Sequence, residues 1–153
     1  MSEPEISSLE AHLHDAIKEV LGTTLGDNPE FIVPEGSAKG VSAIIGISEG
    51  ISGFLALHVS PEDACLIAGT MLGDSYTEVD DIVCDSLGEV TNMLGGSLKK
   101  FAGRYGEPFK ISTPTIVRGK DYETHAAKDA EQILLGVRAL SVCFTMQLVI
   151  YAH

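Results

Sequence analysis

Across residues 78–103 the apolar side chains Val83, Leu87, Val90, Leu94, Leu98 and Phe101 recur at gaps of four or three. That period predicts an amphipathic helix docked on a core. A second stripe, Asp85, Glu89, Asn92, Gly96 and Lys99, repeats the same gaps two residues out of phase. At about 100° per residue it faces away from the core stripe. Residues 6–25 predict another helix, with Leu9, Leu13, Ala16, Ile17, Val20 and Leu21 on one face, broken by Gly26-Asp27-Asn28-Pro29. Residues 41–48 and 51–59 alternate apolar and polar positions, and Glu49-Gly50 between them predicts a hairpin with a two-residue turn. Ser60-Pro61-Glu62-Asp63 opens a helix that runs to about Leu72 and stops at Gly73. Thr77 or Ser75 is the expected cap of the long helix. Strands are expected over 111–117, where Pro114 suggests an edge or bulge, and over 132–139 and 142–152, with a polar loop at 120–128.

The order helix, hairpin, helix, long helix, three strands predicts an α+β domain. We expect a mostly antiparallel sheet of about five strands with helices packed on it and the long helix exposed on its outer face. Residues 1–153 are read as a single domain, a length that buries a core without disulfides.

Charge narrows the partners. A net charge of −12 argues against nucleic acid, because little here could neutralise a run of phosphates. No apolar run is long enough to span a membrane, and the acidic start, Met1 to Glu5, leads into no signal-type block, so a cytoplasmic location is expected. Cys65, Cys84 and Cys143 lack any CxxC spacing and are expected to be reduced and mostly buried. His12 and His14, two apart on a helix, make a poor metal pair, and no metal ligands are assigned. Lys99, Lys100 and Arg104 suit the negative end of the long helix, or else a contact to an acidic partner.

The polar stripe carries the candidate chemistry. Glu89 and Asn92 stand three residues apart and are therefore neighbours on the helix surface. Asp85 lies four residues before Glu89, and Gly88, Gly95 and Gly96 lie on or beside the same face. Each glycine costs a helix interior about 1 kcal/mol relative to alanine, and asparagine is also a poor mid-helix residue. A helix that carries these residues reads as one built for close approach by a partner. Thr91 and Met93 flank Asn92 and are further candidates for that contact, with packing under the sheet edge the other reading for Met93. Ser86 lacks the Gly-x-Ser-x-Gly setting of a nucleophile. Gly36-Ser37-Ala38-Lys39-Gly40 precedes a strand and reads as a turn, not a phosphate loop.

With the arrangement Asp-x-x-x-Glu-x-x-Asn-x-x-x-Gly from Asp85 to Gly96, and Pro114 in the following strand, the chain resembles the CheX/CheC/FliY family of chemotaxis phosphatases, most closely its CheX branch. The resemblance implies that Glu89 and Asn92 are the catalytic pair. It implies a phosphorylated CheY-like receiver domain as substrate and partner, with Asn92 orienting water and Glu89 pairing with the receiver's lysine. No cofactor is then bound by this chain; a divalent metal (Mg) is expected on the receiver. Asp85, Gly88, Gly96 and Lys99 become candidate partner-binding positions. A homodimer is a further implication, with free strand edges as a means of pairing. No second Glu-x-x-Asn occurs in the chain, which supports one site per chain. The rival expectation is a non-catalytic module that docks on a receiver or a flagellar-switch component. A third is likeness in fold alone, with the sheet serving a small ligand.

Overall fold

The computed structural model describes residues 3–34, 38–103, 109–122 and 129–151. Its elements in chain order are α1 (Glu3–Thr24), β1 (Glu30–Ile32), β2 (Ala38–Ser48), β3 (Gly53–Val59), α2 (Pro61–Leu72), α3 (Asp81–Gly103), β4 (Lys110–Ile111), β5 (Thr115–Tyr122), β6 (Ala130–Ala139) and β7 (Val142–Tyr151). The strands form one sheet in the order β1-β6-β7-β3-β2-β4, with β5 also paired to β2. Every pairing is antiparallel. The α+β architecture is thus the expected one, with seven strands among the described residues where about five were expected.

Both additions have local causes. β1 has only three residues, too few to show a period, and pairs with β6 from Glu30↔Arg138 to Ile32↔Gly136. The strand expected over 111–117 divides at Ser112–Pro114. Pro114 has no amide to donate to a ladder. Ser112 holds the break against β2 instead: its amide donates to the Gly46 carbonyl (2.9 Å), and its hydroxyl accepts from the Gly46 amide (2.8 Å). β5 then runs to Tyr122, taking in the first residues of the expected polar loop; residues 123–128 of that loop lie outside the described set. The turn expected at Gly36–Gly40 lies partly outside it too, and Ala38 to Gly40 belong to β2.

The β2–β3 hairpin forms with a wider connection than the two-residue turn expected. The last paired residues are Ile47↔Gly53, and residues 48–52 make the link, with Glu49 (φ 59°) and Gly50 (φ 147°) both at positive φ. Ile51 turns onto the core instead of extending the strand. α2 starts as expected: the Ser60 hydroxyl accepts from the Asp63 amide at 3.1 Å, and Pro61 fills the first position. It ends at Gly73 in the left-handed conformation (φ 70°) that glycine adopts without strain. The long helix begins at Asp81, later than expected, and its cap is neither Thr77 nor Ser75. The Asp80 carboxylate accepts from the Val83 amide at 2.9 Å.

Alternate residues of the central strands, among them Val41, Ala43, Ile45, Leu55, Leu57, Met146 and Leu148, join one buried cluster with α1, α2 and α3. α3 packs against both other helices and against β2 to β5. The opposite sheet face carries a polar chain across four strands, buried at Ser42, His58 and Gln147 and reaching the exposed Gln132. Ser42 Oγ lies 2.7 Å from His58 Nδ1, His58 Nε2 2.8 Å from Gln147 Oε1, and Gln147 Nε2 2.8 Å from Gln132 Oε1. Because the Gln147 amide donates to Gln132, its oxygen accepts from His58 Nε2–H, and His58 Nδ1 accepts from the Ser42 hydroxyl. Burial pulls the His58 pKa below its ordinary value, opposed in part by the Gln147 hydrogen bond.

Candidate active site on the outer face of the long helix

The two stripes of α3 separate as the pattern predicts. Val83, Leu87, Val90, Leu94 and Leu98 are each at most 1% exposed, while Asp85, Glu89, Asn92, Gly96 and Lys99 are all exposed. The side chain of Phe101 lies outside the described set. Glu89 and Asn92, about 4.5 Å apart along the axis, make no hydrogen bond or ion pair among the described residues.

The residues beside the pair divide between core and surface. Gly88 and Gly95 are buried, and the bareness of Gly95 serves the approach of helix to sheet. A Cβ on Gly95 would stand 2.1 Å from Ile45 Cδ1, and one on Gly88 would meet Pro114 Cγ at 3.4 Å. Of the three glycines only Gly96 faces open space, with nothing within 4 Å of a Cβ. Thr91 is fully buried and its hydroxyl donates to the Leu87 carbonyl at 2.8 Å, so it is no surface contact. Met93 is half-buried against the core, which is its packing alternative.

Pro114 and Ile116 face α3 across an open groove of about 210 Å³, lined also by Cys84, Asp85, Gly88, Glu89 and Asn92. Gly88 is the floor of this groove; Gly96 and Lys99 continue the exposed stripe beyond it. Cys84 and Ile116 carry no signal of this role in the sequence beyond the fact that Cys84 precedes Gly88 by one helical turn. Arg118 of β5 fastens the two walls: Nη1 donates to the Val79 carbonyl at 3.0 Å, and Nη2 stands 3.5 Å from the Asp81 carboxylate. At the far end Lys100 pairs with Glu19 of α1 at 2.6 Å, which ties the basic end of α3 to a neighbouring helix. Arg104 lies outside the described residues.

The groove holds a carboxylate pair, one carboxamide and one thiol. The Ser86 hydroxyl is turned onto the Ile82 carbonyl at 3.0 Å, away from any role as nucleophile. Cys84 is 7% exposed, and no basic side chain lines the groove to take its proton. Among the described residues no group of three or more His, Cys, Asp or Glu side chains could hold a metal ion. No helix among them is long and apolar enough to cross a membrane. Such a site can orient and hydrogen-bond a reacting group brought to it.

These features define an α+β protein with a carboxylate–carboxamide pair on a helix laid across an antiparallel sheet. The chain belongs to the chemotaxis phosphatase CheX family, whose model matches residues 41–138. It is similar to the CheY-P phosphatase CheX of Thermotoga maritima, at 28% identity over 118 residues and 76% of each chain. In fold it is similar to the chemotaxis protein CheX of Vibrio vulnificus (TM-score 0.82, 22% identity, 93% of this chain and 95% of that one). It also shares the fold of a chain in the CheX–CheY–BeF3–Mg2+ complex from Borrelia burgdorferi (TM-score 0.79, 24% identity, 93% and 97%).

Proposed function

We propose that this protein accelerates hydrolysis of the aspartyl phosphate on a CheY-like receiver domain. Asn92 orients the attacking water and Glu89 pairs with the receiver's active-site lysine. The observation that carries this reading is the exposed Glu89/Asn92 pair, unbonded among the described residues, at the rim of a groove and on a helix whose opposite face is locked into the core.

An acyl phosphate is already activated, so catalysis here is mostly positioning. The water oxygen bonds to phosphorus and the phosphorus–oxygen bond to the aspartyl group breaks. The carboxylate leaves with the bond's electrons, and the water's protons depart with inorganic phosphate. Asn92 suits the first task because its amide both donates and accepts, holding a water in line without adding charge. Glu89 is an acceptor alone when ionised and suits a charge-assisted bond to a lysine. The divalent metal (Mg) belongs to the receiver, which accords with a chain that needs no ligands of its own. Asp85, Gly96 and Lys99 extend the docking face on either side. We place the activity in the cytoplasm, in one domain of 153 residues acting as a homodimer; sedimentation as a monomer at all concentrations would remove the dimer.

The test is the decay rate of a phosphorylated CheY-like receiver with the wild type, Asn92→Ala and Glu89→Ala. Acceleration lost in both variants supports the assignment. Binding without acceleration favours the docking module.

A further inference from the structure

The chemistry proposed above uses the rim of the groove and leaves its interior unexplained. The exposed Asp85, Glu89 and Asn92 form the rim, and behind them the walls are Gly88, Pro114, Ile116 and the largely covered Cys84. This interior holds no side-chain charge, and Pro114 keeps one wall stiff. At about 210 Å³ the groove is smaller than the roughly 300–1,000 Å³ of small-molecule sites. It is the right scale for one protruding side chain. Its mouth adjoins the reacting pair, so whatever fills it arrives with the phosphorylated partner.

We propose that the groove between α3 and β5 receives one aliphatic or aromatic side chain of the receiver, from the backbone segment next to its phosphorylated aspartate. This role rests on the phosphatase activity proposed above and adds a specificity-determining contact to it. Burying an apolar side chain against Pro114 and Ile116 fixes the partner's translation along α3, and Asn92 then meets the phosphoryl group at a set distance. Gly88 is the position that keeps the seat open. The three atoms nearest a Cβ there are Pro114 Cγ (3.4 Å), Pro114 Cβ (3.6 Å) and Ile116 Cδ1 (3.9 Å), all from the groove wall. These are ordinary contact distances, so an alanine fits the fold while filling the floor.

That gives a variant that separates binding from folding. Gly88→Ala replaces a helix-interior glycine and is expected to melt no lower than the wild type. One misplaced methyl in an apolar seat should raise KM for the acetyl-phosphate-treated CheY of the source organism about tenfold. Its kcat should stay within about twofold, because the Glu89/Asn92 pair is untouched. Ile116→Ala empties the seat and should also raise KM, with the beryllofluoride-loaded receiver binding more weakly in titration calorimetry. Asn92→Ala should show the opposite split, losing kcat with KM held. An active wild type whose Gly88→Ala variant keeps its KM and its affinity for the loaded receiver overturns the seat and leaves the phosphatase intact. A wild type that neither binds nor dephosphorylates the receiver removes both.

Discussion

Two polar constellations lie on opposite sides of the same sheet, and they differ in what their hydrogen bonds are used for. Ser42, His58 and Gln147 are at most 3% exposed and are joined with Gln132 by contacts of 2.7 to 2.8 Å. Glu89 and Asn92 are exposed and bond to nothing among the described residues. The buried set has the residue types of a reactive centre, a serine on a histidine on an amide, yet its capacity is taken up within the sheet. The exposed pair has the residue types of any solvated helix face, yet its capacity is open and a groove lies beside it. Availability, more than residue type, separates a site from a structural network.

This contrast can be broken at either end. The largest effect is expected at Asn92: Asn92→Ala should cut the acceleration of receiver dephosphorylation by about 100-fold, the scale of losing one positioned polar group, with its thermal melt unchanged. A variant that unfolds, or that keeps full rate, would make Asn92 a structural residue like Gln147. Next come the glycines of α3. Gly95→Ala must push its methyl toward Ile45 and should cost about 1–3 kcal/mol in denaturant unfolding. Gly96→Ala, in open space, should gain up to about 1 kcal/mol. Equal effects at the two positions would erase the distinction between the packed and the open flank. Gln147→Leu takes the acceptor from the buried His58 Nε2 and the donor from Gln132 Oε1, which should lower stability by about 1–2 kcal/mol. The rate per folded molecule should not change.

The smallest expected effect is in pH. His58 has a lowered pKa in the fold because of burial, so the unfolded chain takes up its proton first as pH falls. Its contribution to stability is full above the unfolded value of about 6.5 and is lost as pH falls from there through the lowered folded value. Unfolding free energies of wild type and His58→Asn should therefore converge over that window. Parallel curves would show that the histidine carries no proton linkage.

Much of this architecture is legible in the residue pattern. The spacing of Val83 through Leu98 locates both the buried stripe and the exposed one, because a helix of fixed pitch turns sequence gaps directly into angles. Ser60, Pro61 and Gly73 bound α2 through local rules that need no tertiary context. Gly95 misleads because glycine's low helix propensity has no direction. It stands one residue after a core leucine, Leu94, and that flank is where the sheet passes. The groove itself is not legible, since its second wall comes from Pro114 and Ile116, and no periodicity within α3 encodes where β5 will lie. β1 escapes notice because three residues cannot display alternation.

The pairing of β3 with β7 has a consequence for the order in which this protein can assemble. It joins residues from Gly53↔Ile150 to Val59↔Phe144 across most of the chain. During synthesis α3 therefore leaves the ribosome with its leucine stripe bare, while half of the sheet it must cover is still unmade. Contacts of such long range close slowly, and an apolar helix face left waiting is exposed to misassociation. The groove gains its second wall only once β5, which follows α3 in the chain, has paired with β2, so a chain stalled before that strand would present Glu89 and Asn92 without the wall that completes the groove.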